Sequence, residues 1–184
     1  MKIKPSSRTD GVVVELGAKD DQLLNQAANA SASLRIKKIL VPTDFSETSR
    51  QALRYALAFA AQFGAELTLL HVITPPDAYG EYGVVDLAGL VRSLQEASDG
   101  ELAKLAAAEV PPTVTARTIT RSGTPAQEII ATAGENESDL IIVSTHGRTG
   151  LKHVLLGSIA ENIVRRAPCP VLVVREREHE FVRA

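Results

Sequence analysis

The chain has a single cysteine, Cys169, so no disulfide can form within it, and neither a Cys-x-x-Cys pair nor a Cys/His zinc spacing can be drawn. It has no apolar run near the ~18 residues that a membrane-spanning helix requires. Its first residues, Met1 to Arg8, lack the apolar core of a secretory signal, and the expected location is the cytoplasm. It has no excess of either charge: 20 basic residues stand against 22 acidic ones, a formal net charge of −2. Binders of nucleic-acid backbones concentrate lysine and arginine, so no nucleic-acid partner is expected. The Walker pattern Gly-x4-Gly-Lys-Ser/Thr is absent, as is the paired aspartate of a phosphotransfer enzyme, and no residue is assigned a catalytic role. His71, His146 and His153 do not stand at a metal-ligand spacing, so no metal ligands are assigned.

What is present is a chain of 184 residues, 45% hydrophobic, long enough to bury a proper core. Residues 1–34 are polar and rich in alanine, asparagine and serine, with one short apolar run at Val12 to Val14 and a short helical pattern from Asp20 to Ala30. They are expected to form a weakly ordered extension ahead of one domain, residues 35–176, and a polar tail, residues 177–184. The run Arg175-Glu176-Arg177-Glu178-His179-Glu180 alternates in charge, as a solvated tail does.

From Arg35 onward strand and helix signals alternate. Ile36, Ile39, Leu40 and Val41 predict a first strand that Pro42 ends; Ser46 then caps a helix with Leu53, Ala56, Leu57 and Ala60 on one face, stopped by Gly64. Glu66 to Val72 is the second strand. A Pro/Gly/Tyr loop from Thr74 to Tyr82 precedes a long helix carrying Leu87, Leu90, Val91, Leu94, Leu102 and Leu105, closed by Pro111 and Pro112. Val114 to Thr120 is the third strand, and Thr124-Pro-Ala-Gln127 reads as a capping box opening a helix through Ile129, Ile130 and Ala133. Leu140 to Ser144 is the fourth strand, almost wholly aliphatic, as for a strand covered on both faces. A last strand runs from Pro170 to Arg175. Strands joined by helical crossovers give an open α/β fold, a parallel sheet with helices on both faces.

In such sheets ligands sit beyond the carboxyl ends of the strands, where the strand order reverses. Two segments fall at strand ends. Between Ser144 and Ser158 lies a basic, glycine-punctuated loop ahead of a helix, the arrangement that presents backbone amides and a positive dipole end to phosphate. Ser158-Ile-Ala-Glu161 reads as a further capping box, with Glu161 expected to turn away from an anion. After the first strand comes Pro42-Thr43-Asp44-Phe45-Ser46; with Ser46 as helix cap, Asp44 is left to accept hydrogen bonds from ribose hydroxyls or to hold a magnesium-bridged ligand.

Ile-Leu-Val-Pro-Thr-Asp-Phe-Ser (39–46), Leu-Thr-Leu-Leu-His-Val (67–72), Gly147-x9-Gly157-Ser158 and Arg-Arg-Ala-Pro-Cys-Pro-Val-Leu-Val-Val (165–174) together resemble the universal stress protein family, over about Arg35 to Val174. The resemblance implies a Rossmann-like sheet of strand order 3-2-1-4-5, with the crevice between strands one and four as the site. Nucleotide-binding members of the family carry Gly-x-x-Gly-x9-Gly-Ser/Thr; here Gly147, Gly157 and Ser158 match, and Ser144 stands at the first glycine position. Serine resists a positive φ that glycine takes freely. The resemblance places Asp44 near a ribose, Thr43, Val72 and Val143 around adenine, and Ser144, Gly147, Gly157, Ser158 and Ile159 along the phosphates. Arg148 and Lys152 lie outside the glycine pattern and enter only as electrostatic candidates. The implied ligand is ATP with Mg2+. In a 3-2-1-4-5 order the last strand is an edge, and Val171, Leu172, Val173 and Val174 would be covered by a homodimer or by a folded-back tail; the resemblance favours the dimer. The expected function is that of an ATP-binding stress-response sensor or interaction module with protein partners the residues do not name. Two alternatives stand beside it: a slow Mg-dependent ATPase or phosphotransferase with Asp44 or His146 positioning water, and a nucleotide-free dimeric scaffold.

Overall fold

The computed structural model describes residues 2–5, 12–15, 34–74, 87–145 and 156–175. The chain divides into two units, Met1–Arg35 and Ile36–Ala184. In the first, β1 (Lys2–Pro5) and β2 (Val12–Glu15) pair antiparallel, with Ile3 opposite Val14 and Lys4 opposite Val13. The sequence reading assigned no element there; the helical pattern at 20–30 lies outside the described residues.

The second unit runs β3 (Lys38–Pro42), α1 (Glu47–Phe63), β4 (Glu66–Ile73), α2 (Leu87–Glu109), β5 (Ala116–Ser122), α3 (Pro125–Glu135), β6 (Leu140–Ser144), α4 (Ser158–Arg166) and β7 (Val171–Val174). The strands form one parallel sheet in the order β5-β4-β3-β6-β7, which is the expected 3-2-1-4-5 of the α/β fold. Alternation along each strand feeds two cores. Ile39, Val41, Leu67, Leu69 and Ile142 pack with α1 and the end of α2, while Leu40, Leu70, Ile141 and Val143 pack with α3 and α4. Each fully buried leucine or isoleucine contributes about 1.5–3 kcal/mol of transfer free energy.

Local chemistry sets the element ends. Ser46 caps α1 by accepting the Ser49 N–H, and Gly64 closes it at φ 64, a left-handed backbone that glycine adopts without a Cβ clash. Helix α2 buries Leu102 and Leu105, whereas Leu90 is exposed, so the apolar face read along the whole helix enters the core only in its last turns. The third predicted strand is shifted: Val114 sits in a turn, its N–H on the Pro111 carbonyl, and the ladder runs two residues further along. The capping box at Thr124 does not form; Pro125 occupies the first helical position, and the exposed Thr124 makes no side-chain cap bond. At the amino edge the Asp139 carboxylate accepts the N–H of Lys37 at 2.7 Å and of Lys38 at 3.0 Å, and Lys38 Nζ donates to the Asn136 carbonyl at 3.0 Å.

Candidate functional site

The sheet reverses its winding between β3 and β6, and described residues at the carboxyl ends of the strands line a cavity of about 840 Å3. Its first wall is the β3–α1 turn. Here Asp44 Oδ1 accepts the Ser46 N–H at 3.1 Å and the Ser46 hydroxyl. Ser46 Oγ donates its one hydrogen bond to Asp44 and accepts the Ser49 N–H, so the Thr48 hydroxyl, 2.9 Å away, is the donor of that pair. Ser46 therefore caps the helix and orients Asp44 as well. This corrects the expectation that capping by Ser46 leaves the aspartate uncommitted: a carboxylate two residues before an open N–H closes an Asx turn.

Thr43 is buried and fully engaged. Its N–H donates to the Leu70 carbonyl at 2.8 Å and its carbonyl accepts from His71 Nδ1 at 2.8 Å. Its hydroxyl accepts the Phe45 N–H and pairs with Ser49 Oγ, both at 3.0 Å. Because Ser49 donates to the Ser46 carbonyl, Thr43 donates to Ser49. Thr43 lines the cavity with its backbone and hydroxyl hydrogen bonds already made within the protein. Phe45 adopts φ 64, a conformation costing a residue with a Cβ about 1–2 kcal/mol. The surrounding hydrogen bonds hold it there, and its ring lies 4.5 Å from that of His71.

The second wall comes from the strand ends and α4. Val72, Val143 and Ser144 line it, and Ser144 takes the extended backbone of β6. The only non-glycine residues at positive φ among the described residues are Phe45 and Glu137, so serine at the first glycine position meets no conformational penalty. The Gly157 N–H donates to the Thr145 carbonyl at 2.9 Å, which fixes the start of α4 beside the end of β6. That bond holds Gly157 extended at φ −68, ψ 153 and makes it the N-cap; Ser158 is the first helical residue and not the cap, and no side-chain cap bond forms. The amides of Ser158, Ile159 and Ala160 open on the cavity without intrahelical partners, an anion-seeking set. Glu161 pairs instead with Arg165, at 2.9 Å, one turn along the helix.

Of the sequence-assigned residues, Thr43, Asp44, Val72, Val143, Ser144, Gly157, Ser158 and Ile159 all line this one cavity. Gly147, Arg148, Lys152, His146 and His153 lie outside the described residues. Sequence reasoning missed Phe45, Pro125 and Ile129, and a set on α2 comprising Leu94, Ala97, Ser98 and Glu101. The signal was there as helical spacing, since 94, 98 and 101 share one face. Among the described lining residues the charged groups are Asp44 and Glu101, with no lysine or arginine. No trio of His, Cys, Asp or Glu among the described residues can hold a metal. The Asp44 carboxylate beside the open N-terminus of α4 fits Mg2+ carried by phosphate oxygens, because that ion keeps most of its waters. Cys169, packed beside α3 and α4, has its thiol pKa raised, first by burial and then by the Asp139 charge.

Residues 35–175 match the universal stress protein family. The chain belongs to that family. Universal stress protein MJ0531 of Methanocaldococcus jannaschii is 35% identical over 144 residues, 78% of this chain and 85% of that relative. Universal stress protein MJ0577 of the same organism is 34% identical over 160 residues, 79% of this chain and 98% of the relative. Its solved structure superposes with a TM-score of 0.69, covering 79% of this chain and all of that one. A universal stress protein solved in complex with cAMP shares 26% identity at a TM-score of 0.52, over 77% of this chain and 98% of its own. No described helix of this family member is long and apolar enough to cross a membrane.

Proposed function

We propose that this universal stress protein binds an adenine nucleotide, ATP with Mg2+, at the carboxyl edge of its sheet and acts in the cytoplasm as a nucleotide-dependent stress-response sensor or interaction module. The observation that carries the reading is the convergence of the uncapped α4 N-terminus and the oriented Asp44 carboxylate on one cavity. The cAMP complex of a relative supports the ligand class. In this reading Val72, Val143 and Thr43 flank the base and Asp44 accepts from a ribose hydroxyl. The amides from Gly157 to Ile159, with Ser144 and Ser158, receive the phosphates, joined by Gly147 and Arg148. Magnesium would neutralise phosphate charge near Asp44, the one lining carboxylate on this side of the cavity. A second copy of the chain pairs along β7, whose Val171, Leu172 and Val173 are only half-buried at the sheet edge.

Calorimetric titration of the nucleotide-stripped protein with Mg-ATP and with cAMP tests this, alongside Gly157→Val. Gly157 stands at a φ and ψ that valine adopts without strain, and a melting curve matching the parent's shows that the variant folds. Micromolar binding in the parent, weakened about tenfold or more in the variant, is the expected result. Absence of heat and of thermal stabilisation in the parent overturns the reading in favour of a nucleotide-free scaffold. Release of ADP in step with bound ATP would instead make turnover the output.

A further inference from the structure

The cavity is larger in kind than the nucleotide reading uses, because the sheet divides its lining between two faces. Val72 and Val143 belong with Leu70 and Ile141 to the face covered by α3 and α4. Residues of β4 alternate, so His71 and Ile73 fall on the other face with Leu69, under α2. Helix α2 brings Leu94, Ala97, Ser98 and Glu101 to the same cavity from that side. None of these has a part in holding the nucleotide.

The chemistry of this lobe is opposite to that of the α4 end. Its walls are apolar, made by Phe45, Ile73, Leu94 and Ala97. Beside the Ser98 and Thr74 hydroxyls, which can serve either way, its polar groups are acceptors. His71 Nδ1 faces the Thr43 carbonyl at 2.8 Å, and a carbonyl cannot donate, so Nδ1 carries a hydrogen and Nε2 is the ring nitrogen that can accept. Phe45, held at φ 64 by its own hydrogen bond to Thr43, packs against that ring at a tilt of 36°. Glu101 adds a carboxylate that makes no ion pair with any described residue, and no lysine or arginine stands among the described lining residues to neutralise it. Amides at the α4 end call for an anion, whereas an apolar slot ending in an imidazole nitrogen and a carboxylate calls for a hydrogen-bond donor with positive charge.

We propose that the lobe between α2 and the ends of β3 and β4 is a second binding subsite, taking a molecule with an ammonium or guanidinium group on an apolar body. It goes beyond the nucleotide reading and is filled independently of it.

Dansylcadaverine, a primary amine on an apolar fluorophore, is the probe, titrated into the full chain by fluorescence. Saturable binding is expected, and dansylglycine, which carries a carboxylate in place of the amine, should bind far more weakly. Glu101→Lys should weaken dansylcadaverine about tenfold, the loss of one charge-assisted hydrogen bond, with Glu101→Gln intermediate. Ala97→Trp fills the slot and should abolish binding; both positions are exposed on α2, and matching melting curves show that the variants fold. Saturating Mg-ATP should leave the amine bound. Lack of saturable binding in the parent, equal binding of dansylglycine, indifference to Glu101→Lys, or displacement by Mg-ATP would each overturn the proposal. Failure of ATP to bind, with the amine still held, would remove the nucleotide reading and leave this one standing.

Discussion

At the amino edge of the sheet Asp139 gathers the N–H groups of Lys37 and Lys38, the Asp139 N–H returns to the Lys38 carbonyl, and the Glu66 N–H meets that of Lys37. At the carboxyl edge of the same strands the Asp44 carboxylate is turned by Ser46 toward a cavity, and the first amides of α4 stay without side-chain caps. Both edges hold an aspartate near open backbone donors. At one the aspartate sits on the donors and completes the fold; at the other the two are held apart with a cavity between them. Polar groups that satisfy one another stabilise the fold, whereas helix amides left open on a cavity are donors that an anion could meet. The difference is one of placement and not of residue type.

The strongest test of that division is Leu67→Ala, beneath the amino edge, where the side chain is completely buried. It should cost about 3 kcal/mol in chemical denaturation and leave ATP affinity in the folded protein unchanged. A parallel loss of affinity would mean that the edges are not independent. Asp139→Ala comes next, at about 1–2 kcal/mol, since it strips the acceptor from two backbone amides that solvent partly reaches. The same variant should alkylate faster at Cys169: Asp139's charge helps raise that thiol pKa, and its removal increases the thiolate fraction at a given pH. Ser46→Ala should cost about 1 kcal/mol through the lost cap and, alone among these, also weaken ATP, because Asp44 loses its orienting donor. Unaltered ATP binding in that variant would break the claim that Ser46 serves both roles. Least affected should be Arg165→Ala, within about 0.5 kcal/mol, as its pair with Glu161 is exposed on α4.

Much of this was legible in the residues. Ile39-Leu40-Val41 and Leu140 to Ser144 declare strands buried on both faces, and Ser46 and Gly64 bracket α1 as their side chains require. The polar edge strand β5 was less so: with Arg117 and Thr118 exposed, its pattern fixes the register poorly, and pairing with β4 decided its limits. The Ser158 capping box misled because the Gly157 to Thr145 hydrogen bond, a tertiary contact, moved the helix boundary by one residue. Phe45's left-handed turn could not be read at all, since it depends on Thr43, Ser49 and His71 closing around it. Ser98 and Glu101 share a helical face with Leu94 in the sequence, but only the packing of α2 brings that face to the cavity.

The central position of β3 has a consequence for how the chain is made. Its partner on one side, β4, follows directly, but β6 lies far along the chain, with Lys38 and Asp139 separated by 101 positions. A ribosome adds roughly 5–20 residues per second, so that second partner emerges roughly 5–20 s after β3 does. Throughout that interval the nascent chain displays Ile39, Leu40 and Val41 along an open strand edge, the form most prone to pair with a neighbouring polypeptide. The strand that organises the finished cleft is thus the one that most needs a chaperone's cover during synthesis.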